Sequence, residues 1–321
     1  MNKIIITLLI AGLLASCGST ARPLPAQTQQ AASASAASPE VSEQQQLPML
    51  NTIHYDKTLF YSGIGDLPTY TVEGTLTAGM VPHHLVASDM IAAFFAMAAK
   101  QPAYDGILIV SPSHFPENCH SMMVTAKAGW NTPFGVVKPY VGMIDRMLEN
   151  KVMAAENNPI AVELDHGAAG LVPFIKHYLP DTPVAVCLVQ GKLPRERLTA
   201  LWEVIAAQRE TDNLLVISSA DCSHYLMPEE AAKRDAETMK AIEEGLTEQI
   251  FRFDDDHVDS PQSVNTFLQM TKQTGAVIKR LDHGSSDKKL PDNMGSPIYR
   301  EGITTYLVYA GVKAPSEAEK E

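Results

Sequence analysis

Basic residues are in short supply in this chain. Its 321 residues carry 25 lysines and arginines against 37 aspartates and glutamates, a net charge of −12. Phosphate binding needs a basic face, so a nucleic-acid partner is set aside. Long apolar runs are missing too: beyond the N-terminus none is long enough to cross a bilayer. There is no internal repeat and no second linker after about residue 48. Cysteine is scarce, with four residues at positions 17, 119, 187 and 222. What is present is ordinary for a globular protein, 45% hydrophobic and 19% charged.

The first twenty residues read MNKIIITLLIAGLLASCGST. Lys3 gives a positive start, Ile4 to Leu14 an apolar stretch too short for a permanent span, and Leu14-Ala15-Ser16-Cys17 a small-residue cleavage pattern. This resembles a bacterial lipoprotein signal, with residues 1–16 removed and Cys17 acylated. Several acyl chains on one residue hold a protein stably at a membrane surface. The implied location is the cell envelope, and Gly18 after the lipidated cysteine leans towards the outer membrane, facing the periplasm, in a cell with two membranes. Residues 17–48, rich in Ala, Ser, Gln and Pro, read as a flexible tether, and residues 314–321 as a charged tail. Between them, residues 49–313 form one domain. With Cys17 acylated, three thiols remain and cannot all pair; Cys187 in PVAVCLVQ reads as a small buried hydrophobe, and a Cys119–Cys222 bridge is left open.

Within the domain, the pattern places strands near Leu76–Val81, Gly106–Val110, Met122–Ala126, Pro183–Val189, Leu214–Ser218, Ala276–Leu281 and Ile303–Tyr309. Helical periodicity fits Ala87–Ala99, Val141–Asn150, Leu171–His177, Pro194–Gln208, Pro228–Glu248 and Ser260–Thr271. Alternation of the two predicts an α/β fold, a central mixed sheet flanked by helices. Three strands end alike: LTAGMVPHH at His83 and His84, GILIVSPSH at His114, and NLLVISSADCSH at Asp221 and His224. In open α/β sheets ligands bind beyond the carboxyl ends of the strands, so these residues are expected to share one site.

Two histidines and a carboxylate with open positions are the donor set of non-haem Fe(II) enzymes. His83 and His114, each preceded by a nearby proline, are the expected imidazole ligands. For the carboxylate the choice is Asp259 in RFDDDHVDSPQ, which reads equally as a ligand or as the N-cap of the helix that follows; His257 is a reserve ligand. His224 lies three residues beyond Asp221, which could orient the ring for general acid/base work; the alternative has Asp221 capping a turn and His224 packing on Tyr225. Glu163, Asp165 and His166 could support the ligating histidines from behind, or form a helix-start cluster. LDHGSSDKKLPDNMGS reads as a long loop of the kind that covers a site.

AGMVPHH, ILIVSPSHF, ELDHGAAGLVPF, VISSADCSHY and DHGSSD stand in the order and approximate spacing of the Memo-like family, also called AmmeMemoRadiSam system protein B, and the chain resembles that family over nearly the whole domain. The resemblance implies a fold similar to the class III extradiol ring-cleaving dioxygenases. It makes His83 and His114 metal ligands and puts His224 at the acid/base position; Asp221 and His166 complete the expected catalytic set from the reading of the residues themselves. The third ligand departs from the pattern. Animal Memo proteins have a cysteine there and the dioxygenases a glutamate, where this chain has Asp259. Aspartate favours iron over copper, because thiolate is the softer ligand. The family's Glu-His-Ser is changed as well, to Asp165-His166-Gly167. The expected function is a membrane-anchored, metal-binding, dioxygenase-like protein acting with Fe(II) on a catechol-like small molecule. The alternatives are a Zn-dependent hydrolase at the same ligands and a non-catalytic module for metal or ligand binding, with Cu as a further metal.

Overall fold

The computed structural model describes residues 47–290 and 302–315. The signal peptide, Cys17, most of the tether, the last residues of the tail and the last six residues of LDHGSSDKKLPDNMGS lie outside these residues. In chain order the strands are β1 (Met49–Asn51), β2 (Thr75–Val81), β3 (Gly106–Pro112), β4 (Met123–Thr125), β5 (Gly129–Thr132), β6 (Gly135–Val137), β7 (Glu156–Asn157), β8 (Val184–Val189), β9 (Leu214–Ser219), β10 (Cys222–Leu226), β11 (Val277–Ser285) and β12 (Ile303–Lys313). β1, β5 and β6 form a small sheet, and the other nine form the main mixed sheet in the order β10-β12-β2-β9-β3-β8-β4-β7, with β11 on β12. β2, β9, β3 and β8 are parallel.

Strands buried on both faces read as continuous aliphatic runs, and here the two faces separate residue by residue. In β3, Ile107 and Ile109 enter one core while Leu108 and Val110 enter the other. In β9 the split is Leu215 and Ile217 against Leu214 and Val216. The first core is completed by the helices Ser88–Ala98 and Val172–Tyr178, the second by Val141–Glu149, Arg195–Arg209 and Pro261–Thr274. The result is the expected α/β architecture, with helices on both sides of one mixed sheet. Among the described residues no helix is long and apolar enough to cross a membrane.

The seven strands and six helices read from the sequence are all present, most shifted by a residue or two at their ends. The helix expected over Pro228–Glu248 stops at Glu243, and a separate turn, Thr247–Ile250, follows. Gly245, at φ +68, bends the chain out of the helix there. The loop expected from Leu281 is strand as far as Ser285, because Asp282 to Ser285 pair with Val308 to Thr305, and a helical turn, Ser286–Lys289, continues it. Cys222 to Leu226, beyond the end of the strand expected at Leu214–Ser218, is the strand β10. Cys119 and Cys222 are separate thiols; Cys222 is buried in β10 and Cys187 in β8.

β2 carries one glycine that the packing requires. A Cβ at Gly79 would lie 2.1 Å from Phe94 Cζ, so the absence of a side chain lets the buried Phe94 ring of Ser88–Ala98 lie directly on the strand. Gly79→Ala overpacks that contact and is expected to destabilise the fold by about 2 kcal/mol. Chemical denaturation with an unchanged slope checks it; a variant as stable as wild type would show that the ring moves freely aside.

Candidate metal centre

The parallel order β2-β9-β3 aligns three strand ends. His83 follows β2 across Pro82, Asp221 follows β9 across Ala220, and His114 follows β3 across Ser113. Ala220 N–H donates to Val81 O at 3.0 Å, which ties the first two exits together. Beyond them opens a cavity of about 460 Å³ lined by His83, His84, His114, His166, Asp221, His224, Tyr225, Asp255, Asp259 and Thr304, among others. The strand-end residues singled out in the sequence therefore share one site. The ring centroids of His83 and His114 are 5.0 Å apart, and His166 stacks on His114 at 3.8 Å.

Hydrogen bonds settle which nitrogen of each ligand candidate faces the cavity. Ser219 Oγ donates to Gly167 O at 2.6 Å, so at its 2.9 Å contact with His83 it accepts from Nδ1–H. His83 Nε2 is left as a bare lone pair, 3.2 Å from Asp259 Oδ2 and 3.5 Å from Asp221 Oδ2. His114 Nδ1 bonds Asp165 Oδ1 at 2.9 Å, and the same carboxylate accepts from the backbone N–H of His114 and of Gly167. Burial alone would raise the pKa of Asp165, but these hydrogen bonds outweigh it and hold the group below the usual carboxylate range. An ionised Asp165 keeps the proton on His114 Nδ1 and frees Nε2, the carboxylate–histidine arrangement that orients metal ligands.

Asp259 lies just before the helix Pro261–Thr274, and the question of cap or ligand has a structural answer. Ser260 is the N-cap, its Oγ accepting from Ser263 N–H at 3.2 Å. Asp259 is released from capping. Both of its carboxylate oxygens are buried and make no hydrogen bond, although its side chain is 10% exposed to the cavity. Burial, then the neighbouring Asp221, pushes its pKa well above the carboxylate range, while burial pushes His83 down to about 3. Unpartnered oxygens facing an imidazole lone pair need a cation or a proton between them. Two groups of ligand atoms lie within 4.8 Å of one another: His83, His114 and His166, and His83, Asp221 and Asp259. Each group fits a divalent metal and His83 belongs to both, but His114 and Asp259, expected with His83 as one ligand set, fall in different groups, completed by His166 and Asp221 respectively.

Several expectations are refined by this geometry. Asp221 does not hydrogen-bond His224; its Oδ1 accepts from the backbone N–H of His83 at 3.0 Å and of His84 at 3.4 Å, because it caps the β2 exit across the strand pair. Its charge still raises the basicity of His224, which burial lowers below the usual histidine value. His224 lies on the cavity wall with Nδ1 buried and unpartnered. His257 is no reserve ligand: its ring stacks on Phe253 and its Nε2 lies 3.0 Å from Glu237. His84, assigned no role from sequence, lines the cavity and contacts Tyr306 Oη at 2.7 Å. Gly167, where the family pattern has serine, is explained by space. A Cβ there would sit 2.4 Å from Ser111 Oγ and 2.9 Å from His114 Cε1.

The residue missed altogether is Ser219, whose only sequence signal is a serine pair at the end of β9. Ser219→Ala removes the acceptor that fixes His83, and loss of such a supporting group typically costs 10–100-fold in metal affinity. We expect metal titration of the folded variant to show a loss of about that size; unchanged affinity would remove Ser219 from the site.

The sequence model of the family described as "Memo-like protein" matches residues 69–294. A MEMO1 family protein of Caldivirga maquilingensis is 23% identical over 216 residues, 64% of this chain and 75% of that one. One from Desulfurococcus amylolyticus is 25% identical over 230 residues, covering 67% and 78%. One from Aquifex aeolicus is 30% identical over 152 residues, covering 45% of this chain and 53% of the relative, so that the match spans about half its length. The chain belongs to the Memo-like protein family.

Proposed function

We propose that this Memo-like protein holds ferrous iron through His83, His114 and Asp259 and acts on a catechol-like small molecule, with His224 as the general base. The observation that carries the reading is the Asp259 carboxylate, buried with both oxygens unpartnered and facing the free Nε2 of His83. Two imidazoles and a carboxylate, with no thiolate among the lining residues, favour iron over copper. When bound, the metal supplies Lewis acidity and one-electron chemistry towards dioxygen.

The remaining steps fall to the protein. Burial holds His224 below its ordinary pKa, so at neutral pH the ring is unprotonated and able to accept a phenolic proton. The nearby Asp221 charge favours the imidazolium so formed, opposing the burial that disfavours it. His166, pushed down to about 4 by burial and by His114, stays neutral against the His114 ring. His84 and Asp255 complete the polar wall.

The N-terminal pattern adds that the domain works tethered to a membrane by acylated Cys17 at the bacterial envelope. Leu14-Ala15-Ser16-Cys17 after an eleven-residue apolar stretch supports this. We expect Cys17→Ser to move the protein from the membrane fraction to the soluble one, and lipid-modified Cys17 to be found by mass spectrometry of wild type only. Equal partition of the two would remove the anchor.

The metal assignment is tested by elemental analysis of anaerobically purified wild type, His114→Ala and Asp259→Ala. Near-stoichiometric iron in wild type and at least about tenfold less in each variant is the expected result. Full metal content in His114→Ala overturns the ligand set, and zinc with oxygen-independent activity redirects the reading to hydrolysis.

A further inference from the structure

Tyr225 is held in a conformation its side chain does not favour. Its φ is +56, in the left-handed region that bulky residues avoid. Such backbone persists where the surroundings over-determine it, and it clusters at functional sites. Burial does not compensate, because Tyr225 is 75% exposed. The ring stands on the wall of the metal cavity, its centroid 5.8 Å from that of His224.

Four features impose the conformation. β10 and β12 pair at Cys222↔Thr305 and Leu226↔Ile303 with a register shift between, so Ser223, His224 and Tyr225 bulge opposite Thr304 alone. Buried Asp235 pins both sides of the bulge, accepting from Ser223 Oγ at 2.8 Å and Thr305 Oγ1 at 2.6 Å. The far edge is held by Ser223 N–H on His257 O and His224 N–H on Asp255 O. Gly302, at φ +88, then presses its bare Cα against the Tyr225 peptide: a Cβ there would lie 2.2 Å from Tyr225 C. Bulges of this kind re-aim side chains beside active sites.

We propose that Tyr225 is the ring-recognition residue of this cavity, its exposed face receiving the planar ring of an aromatic substrate whose hydroxyl is presented to His224. This rests on the catechol-type reading above and adds to it the group that selects for an aromatic ring. A ring serving the fold would be buried. An exposed ring beside the base, on strained and multiply clamped backbone, is shaped for a ligand, and a stacked aromatic pair strengthens binding by roughly two- to twelvefold.

The test uses the iron-loaded protein without oxygen, with two probes: 4-nitrocatechol, whose absorbance reports binding, and acetohydroxamate, a bidentate metal ligand with no ring. Tyr225→Asn, in which asparagine tolerates the left-handed backbone, is expected to weaken 4-nitrocatechol about fivefold and leave acetohydroxamate unchanged. Tyr225→Phe keeps wild-type affinity for both. Thermal melting of the metal-free protein separates a structural role: Tyr225→Asn melts no lower than wild type, and by relief of strain about 2 °C higher. Equal 4-nitrocatechol binding in Tyr225→Asn overturns the inference while leaving the catechol reading intact. So does loss of both probes, a loss in Tyr225→Phe, or a lowered melting point. Wild-type protein that binds acetohydroxamate but not 4-nitrocatechol, or that takes up no iron, overturns the catechol reading and this inference with it.

Discussion

Edge-to-edge pairing of β2, β9 and β3 in parallel is the constraint on which the rest of this molecule depends. The register sets Val81 against Ser219 and Val110 against Ser218, so three chains leave the sheet at one level and on one side. His83 and Asp221, 138 positions apart in sequence, are brought to a direct backbone-to-carboxylate hydrogen bond by that pairing alone. A one-residue slip in either ladder would reverse which core each aliphatic side chain enters, and the two separate cores forbid it. Precision at the site is inherited from apolar packing that never touches it.

Around that frame the polar residues are arranged to leave certain atoms without partners. The relay from His83 through Ser219 to Gly167 O, and the hold of Asp165 on His114, consume the inner nitrogens of both rings and expose the outer ones. Ser260 takes the helix cap that Asp259 could have filled. Each arrangement leaves a buried donor or acceptor facing the cavity, at a cost to the metal-free fold and to the advantage of whatever cation enters. Asp221 serves both sides, closing the β2 exit with one oxygen and facing His83 Nε2 with the other.

Much of this was legible in the sequence because strands buried on both faces are written as unbroken aliphatic runs. GILIV and LLVIS could be placed within a residue or two, and the polar residues that end them marked the site. β10 was not legible: CSHYL has no apolar alternation, and its pairing is broken by the bulge. β1, β4, β5, β6 and β7 are two to four residues long, of which only β4 sits in a run apolar enough to stand out. At the site, residue type and position at a strand end were enough for His83, His114, Asp221 and His224. The orienting contacts were not, since the bonds from His83 to Ser219 and from His114 to Asp165 join residues 136 and 51 positions apart. The choice between ligand and cap for Asp259 turned on a hydroxyl one residue away.

β12 has a consequence for biosynthesis. It joins β2 to β10 and β11, and its contact with β2 includes a hydrogen bond from Thr77 to Gly311, 234 positions apart. A growing chain therefore displays one edge of β2 unpaired until nearly the whole domain has been made, and contacts of such long range close slowly. Thr304 on β12 belongs to the cavity wall, so the metal pocket is completed in the same late event. Until β12 has paired, nascent protein therefore carries all the candidate ligands, the last of them Asp259, on a sheet whose cavity wall is still open on the β12 side.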